Sequence, residues 1–409
     1  METRVHAQTI GRRSGPATDP ESDRLPERAQ GAIDVAVIGA GLIGLSIAWR
    51  LAKAGLAVAA IERAKAGDGA SLAATGMLAA AAEHEPGGEA LLPLCLASQR
   101  LWHPFRDELE AESGLTIDYR REGTFVIALG RDEVERLRFR HDLQRRDGLA
   151  VEWLSGPAIR AREPGLRPTV TAGLFCADDH QVDPARVMAA LRRAFRAAGG
   201  RLVEETTVTA LLREGGRVAG VETSAGTVRA GTVVLASGAW AGEGSLVPDL
   251  ALPVRPLKGQ SVALQMTPRS GSLSHVVWTE QVHMAPKGDG SLIVGATVEE
   301  TGFDPHLTAG GLYALLEGAR RALPGVEEMR VAGIWSGFRP TSDDDAPILG
   351  EALPGLVLAV GHHRNGYLLA PVTAEAVSTL ILRGETLPVA APFGLARFAP
   401  HHSLRSETP

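Results

Sequence analysis

The sequence predicts an α/β fold with parallel-sheet units at both ends and antiparallel strands between them. Three observations predict it. A strand–glycine–helix–strand run occupies residues 34–62, a strand–glycine loop–helix run occupies 355–382, and short strand-like pieces separated by glycine turns lie between. At 409 residues the chain is long for one core and divides into two domains, one interrupting the other.

Each element follows from its residues. Residues 35–38 are an apolar strand stopped by glycines, and apolar positions then recur at helical spacing through Leu51. Gly55 is the C-cap before a second strand at 57–61. Within this βαβ unit Gly39, Gly41 and Gly44 have the spacing G-x-G-x-x-G. That spacing allows a tight turn, backbone approach to a pyrophosphate, and close helix–strand packing at a helix N-terminus. Glu62 ends the second strand, where an acid accepts both hydroxyls of an adenosine ribose and disfavours the 2'-phosphate of NADP. Further on, Asp183 caps a helix with Pro184 in its first turn and Gly199-Gly200 as its stop. Strand-like pieces follow to residue 240, a strand-rich section spans 255–300, and 309–323 is an amphipathic helix. The strand at 356–360 leads through a loop containing Gly361 and Gly366 into a helix starting near Asn365. No second G-x-G-x-x-G occurs, so one dinucleotide is expected.

Composition removes several functions. A formal charge of -6 supplies no basic face for nucleic acid. The two cysteines, Cys95 and Cys176, form no CxxC pair, which predicts a reducing compartment without disulfides or structural zinc. His362-His363 and His401-His402 lack the spaced partners of a metal site. Residues 1–30 are polar and Pro-rich, and no apolar region follows Arg12-Arg13. They read as a disordered extension, neither export nor import signal, and the expected location is the cytoplasm. No stretch has the roughly 20 apolar residues of a membrane span.

NAD and FAD both remain open on the glycine pattern. Residues 71–83, "SLAATGMLAAAAE", are tiny side chains around Gly76-Met77. They suit backbone passing close to a flat ring, or alternatively a close-packed alanine helix. Arg339 poses a separate question, because it lies in "WSGFRPTSDDDAPILG" among residues suited to an interior. A buried guanidinium needs an anion, either the Asp343-Asp344-Asp345 run or a ligand.

The stretches "VIGAGLIG", "SLAATGMLAAAAE", "ASQRLW", "HQVDP", "VVLASGAW", "PLKGQ", "VGATVEE", "WSGFRPTSDDDAPILG" and "GHHRNGYLLAP" run in order from Asp34 to Leu382. In this ordered set the chain resembles the glycine oxidases of thiamine biosynthesis, within the D-amino acid oxidase and sarcosine oxidase group of FAD enzymes. The resemblance implies a doubly wound, Rossmann-like FAD-binding domain from residues 31–118, 179–254 and 330–390. An α+β substrate domain with an antiparallel sheet would come from 119–178 and 255–329, and residues 391–409 would be a tail. It implies that FAD, held non-covalently, contacts Gly39, Gly41, Leu42, Ile43, Gly44, Glu62, Arg63, Ala70, Ser71, Thr75, Gly76, Met77 and Val208. The loop Gly361, His362, His363, Arg364, Asn365, Gly366, Tyr367 and Leu368 would join them. Substrate contacts would be Arg339, which grips the carboxylate, with Arg364, Met77 and His283.

His283 stands where these oxidases carry a tyrosine, and an imidazole there can donate a hydrogen bond or carry charge near neutral pH. The implied reaction is oxidative deamination of glycine, sarcosine or small D-amino acids by hydride transfer to flavin, without an enzymic base. O2 becomes H2O2, and the imine product serves thiazole synthesis; a D-amino acid dehydrogenase passing electrons to a quinone or carrier, and a non-catalytic flavin-binding subunit, are the alternatives. The implied partners are the small amino acid, O2 and further copies of the chain, with neither nucleic acid nor membrane.

Overall fold

The computed structural model describes residues 9–10, 33–244, 246–248, 250–267 and 271–398. Most of the expected N-terminal extension and residues 399–409 of the tail lie outside the described residues. Thr9 and Ile10 form a short strand against Trp335 and Ile334, so this piece of the extension has regular structure where disorder was expected.

One sheet is built on five parallel strands in the order Arg201–Val203, Val58–Ile61, Ile33–Ile38, Gly226–Leu235 and Leu356–Val360. Successive side chains of a strand point to opposite faces. Val35 and Val37 therefore join one core, with Leu45, Trp49, Trp102, Phe105, Phe195 and Leu369 of the covering helices. Ala36 and Ile38 join another, with Val221 and Val228 of an antiparallel meander. Burial on both faces explains why these strands read as apolar runs without alternation. The covering helices are Leu42–Lys53, Leu92–Ser113, Pro184–Ala197 and Gly366–Arg383. Asp183 caps the third, its carboxylate accepting from the N–H groups of Ala185 and Arg186 at 2.9 and 3.1 Å.

The second sheet has nine strands and is antiparallel except where Val276–Trp278 runs parallel to Thr124–Ala128. Its longest pair, near one edge, is Val254–Gln265 and Arg330–Ser342, paired from Val254 opposite Ser342 to Gln265 opposite Arg330. This moves the expected boundary, because residues 330–342 were placed with the dinucleotide-binding segments. Their backbone hydrogen bonds go to the second sheet along the whole strand, and nothing local in "WSGFRP" announces which partner it takes. Helix Ala309–Ala322 packs on this sheet through Leu315 and Ala319, against Val262, Met284 and Leu292. Between the sheets, Met77–Leu78 pairs with His180–Gln181.

Candidate active site

Two glycines shape the first half of the site by close approach. Gly39 has φ +97°, and a Cβ there would lie 2.5 Å from the Ala236 carbonyl. A Cβ at Gly44 would lie 2.0 Å from the Gly39 carbonyl, so helix Leu42–Lys53 seats directly on the turn. Gly41 is the N-cap, and no acidic side chain occupies the first turn. The Leu42 N–H donates to Ser71 Oγ at 2.8 Å, while Ile43 and Gly44 belong to a turn whose N–H groups have no intrahelical acceptor. The positive helix end is thus available to a pyrophosphate. Glu62 Oε2 accepts from the Ala40 N–H at 2.9 Å and Oε1 from the Ala64 N–H at 3.1 Å. Burial nevertheless raises its pKa. The Arg63 guanidinium lies 3.8 Å from the Trp240 ring centre. Val208 begins a strand two residues after Thr206, whose N–H donates to the Glu62 carbonyl at 2.9 Å.

Residues 70–77 form the second half. Ala70–Ala73 make one helical turn, after which Gly76, at φ +79°, leads into Met77–Leu78. The alanine-helix alternative holds only for Ala70–Ala73, because Gly76 at positive φ and the pairing of Met77–Leu78 with His180–Gln181 turn the chain into a strand. Tyr367 OH donates to the Ser71 carbonyl at 2.9 Å and Trp335 Nε1 to the Ala73 carbonyl at 3.0 Å. Lys287 Nζ, fully buried, donates to the Thr75 carbonyl at 2.6 Å. The loop from Gly361 closes on the same place. His362 Nε2 is 3.0 Å from Thr373 Oγ1, and His363 Nδ1 is 2.8 Å from Thr341 Oγ1. Burial pushes both imidazoles down to about 3, so the loop is neutral at these rings. Asn365 is the N-cap residue of helix Gly366–Arg383. Tyr367 and Leu368 are buried, and the Leu368 carbonyl accepts from Ser98 Oγ and Trp102 Nε1. These two residues anchor the helix.

Arg339 belongs to strand Arg330–Ser342, second from one edge of the second sheet. Its Nη1 donates to the carbonyls of Thr297 at 3.1 Å and Lys258 at 3.4 Å. The aspartate run is engaged elsewhere, since Asp344 binds Arg397 through two bonds of 2.7 and 2.9 Å. The protein carboxylates whose charge reaches Arg339 are Glu83 and Glu299, outside that run. Next to it His283 pairs across the strands with Trp278, ring centres 5.2 Å apart. His283 Nε2 and Trp278 Nε1 are both buried without a hydrogen-bond partner, which marks a place for a polar ligand. Burial, with Arg339 and Lys287 nearby, pushes His283 down to about 3. Of the two roles an imidazole offers there, burial disfavours the charged one near neutral pH and leaves the neutral hydrogen-bond donor. Met77 packs with Trp278 and Trp335 on one small cluster. Arg364 is committed to acids: its Nε is 3.1 Å from Glu83 Oε2 and its Nη2 is 3.3 Å from Glu85 Oε2.

A family described as FAD dependent oxidoreductase matches residues 34–380. The chain belongs to that family. It is 38% identical over 369 residues to the "Bifunctional protein ThiO/ThiG" of Nostoc sp., covering 89% of this chain and 55% of that protein. It thus spans about half the length of the two-part curated relatives it matches. It is also 36% identical to a "Glycine oxidase" of Geobacillus kaustophilus, covering 89% of this chain and 97% of that one. The crystal structure of glycine oxidase from that organism superposes with a TM-score of 0.84 at 35% identity, covering 90% and 99% of the two chains.

FAD is thus the cofactor of this oxidoreductase family, and the residues present fit it. Glu62 is aimed at the turn where a ribose would lie, the helix end carries no competing acid, and Ser237 Oγ, buried without a partner, borders the Gly39 turn. Sequence reasoning missed Trp278, Lys287 and Gly259. A Cβ at Gly259 would lie 2.6 Å from Arg339 Nη1, so this glycine makes room for the guanidinium. The quoted "PLKGQ" contains that glycine but says nothing of what crosses it. Among the described residues no helix is long and apolar enough to cross a membrane.

Proposed function

We propose that this chain oxidises glycine, and similarly small amino acids such as sarcosine or D-alanine, to the imine, with O2 reduced to H2O2. The observation that carries the reading is Arg339, a buried guanidinium whose hydrogen bonds go to two carbonyls while Asp344 of the aspartate run is paired with Arg397. A planar carboxylate suits its two-nitrogen fork. His283 and Trp278 offer two unused nitrogens beside it, and Met77, Trp278 and Trp335 limit the space and exclude water. FAD, when bound, would supply the acceptor for the hydride and the two electrons it carries. The chain contributes binding, orientation and the positive end of helix Gly366–Arg383. The names of the curated relatives agree with this substrate. Supply of the imine to thiazole synthesis, a cytoplasmic location and a homo-oligomer belong to the same reading.

The test is a spectrum series on purified holoenzyme, mixed anaerobically with glycine, sarcosine or D-alanine and then exposed to air. Flavin bleaching followed by recovery with peroxide is expected. Bleaching without rapid recovery would make it a dehydrogenase that uses another acceptor, and no bleaching with any of the three would refute amino-acid oxidation.

A further inference from the structure

We propose that Glu83 receives the substrate's amino group and accepts its ammonium proton before the α-hydrogen leaves. The inference rests on the amino-acid reading above and deepens it. Glu83 has a side chain only 7% exposed, and its Oε2 is buried with no hydrogen-bond partner. Arg364 Nε lies 3.1 Å away, a charge contact without hydrogen-bond alignment. Arg364 is also served by the Glu83 backbone carbonyl at 3.1 Å and by Glu85, so it does not account for that oxygen. The neighbouring buried acid, Asp179, is satisfied by the N–H groups of Ala81 and Ala82 at 3.0 and 2.6 Å. Oε2 of Glu83 is therefore a buried carboxylate oxygen still in need of a donor.

Its position relative to Arg339 gives the donor's identity. The charge of Glu83 acts on the Arg339 guanidinium, and that of Arg339 on the Glu83 carboxyl. The two groups thus offer opposite charges in one site, as an amino-acid zwitterion requires. Facing Glu83 are Arg364 and Glu85 from the loops, Asp179 from the turn after strand Ala172–Cys176, Arg339 from strand Arg330–Ser342, and Cys95 and Arg140 from helices. Burial and Asp179 outweigh the two arginines and push the carboxyl up to about 7. A carboxylate of that basicity accepts a proton at neutral pH far better than an ordinary one. In the step an ammonium N–H bond breaks and its proton goes to a Glu83 oxygen. The products are a neutral amine and a carboxylic acid, and the freed nitrogen lone pair can then assist hydride departure. No oxidation occurs in this step.

The experiment compares wild-type holoenzyme with Glu83→Gln and Glu83→Asp. One readout is the rate of anaerobic flavin bleaching by glycine from about pH 6 to 10. The other is the rise in Tm produced by glycine and by acetate, which lacks the amine. Wild-type kcat/KM should rise with pH through about 7. Glu83→Gln should lose that inflection, fall roughly 100-fold at neutral pH and recover only in alkali, where free glycine is already deprotonated. It should also lose protection by glycine while keeping protection by acetate. Glu83→Asp should keep the inflection at a lower rate, and it decides the matter if the glutamine variant does not accumulate as holoenzyme. A wild-type pH profile in Glu83→Gln, equal changes in glycine and acetate protection, or an unaltered rate in Glu83→Asp would overturn the proposal and leave Glu83 as Arg364's partner only. A wild-type protein that no amino acid bleaches at any pH would instead sink the functional reading, and this step with it.

Discussion

Gly259→Ala tests the Arg339 assignment without altering any charge. A methyl built at Gly259 would lie 2.6 Å from Nη1, 2.9 Å from Nη2 and 3.0 Å from Cζ of Arg339, and these are its three nearest atoms. Ordinary contact between such atoms is about 3.5 Å, so the guanidinium must retreat by about 1 Å. Gly259 sits in a regular strand opposite Gly337, outside the left-handed region, so alanine itself is accommodated. The retreat lengthens the 3.1 Å bond to the Thr297 carbonyl and tilts the fork away from its ligand. A displacement of that size at a positioning group costs roughly 100-fold in kcat/KM. Stability should change by only about 1 kcal/mol, because the overlap is relieved at the tip of a flexible side chain. The assay is peroxide production against glycine concentration, with the flavin-to-protein absorbance ratio and Tm as controls. A variant with full FAD content and wild-type kcat/KM would show that Arg339 does not anchor the substrate.

Arg339→Lys should weaken glycine binding by about 2–3 kcal/mol through loss of the fork, with FAD content unchanged, as read by flavin spectral titration. Gly337→Ala places a methyl 2.3 Å from Ala73 Cβ, with no flexible tip to give way. It should shift the Ala70–Ala73 turn, lower the flavin-to-protein ratio and cost about 1–3 kcal/mol in urea unfolding. Lys287→Met strands the acceptors Thr75 O, Gln181 Oε1 and Val182 O, and should cost about 3 kcal/mol or more in the same assay. His283, His362 and His363 are each held at about 3 when folded, against about 6.5 unfolded. Their contribution is present above pH 6.5 and is lost as pH falls towards 3, because the unfolded chain then binds more protons. Tm should therefore drop steeply through that acid window, and His283 should impose no inflection on glycine binding between about pH 6 and 8.

How far the site can be read from sequence differs residue by residue. Gly39, Gly41, Gly44 and Glu62 fall within one βαβ unit, where spacing along the chain dictates spacing in space, and the strand, turn and helix formed as their pattern predicts. Arg339 was noticeable because its type conflicts with its neighbours, although nothing local names its partner, and only the fold shows Asp344 paired with Arg397. Glu83 ends the quoted run of tiny residues and was given no role there. Its burial depends on Arg364, 281 positions away, and on Asp179. His283 was recognised by position, but its protonation follows from desolvation, which has no local signature. The strand at residues 330–342 was assigned to the wrong sheet for a similar reason, since backbone hydrogen bonding does not reveal its partner in a strand's own residues.

By itself the sequence determined the class of the protein: a chain with one dinucleotide turn, an acid for the ribose, and an arginine in want of an anion. These are short-range properties, set by glycine conformations, strand and helix periodicity, and the chemistry of single side chains. Only the tertiary structure decided which groups share the cavity and in what charge state. Gly259 yielding to Arg339, the buried His283 beside Trp278, and Glu83 facing two arginines all depend on which strands and loops the fold brings together. Burial there is created by residues far apart in the chain, and burial sets both the protonation and the unmet hydrogen bonds that a ligand would complete.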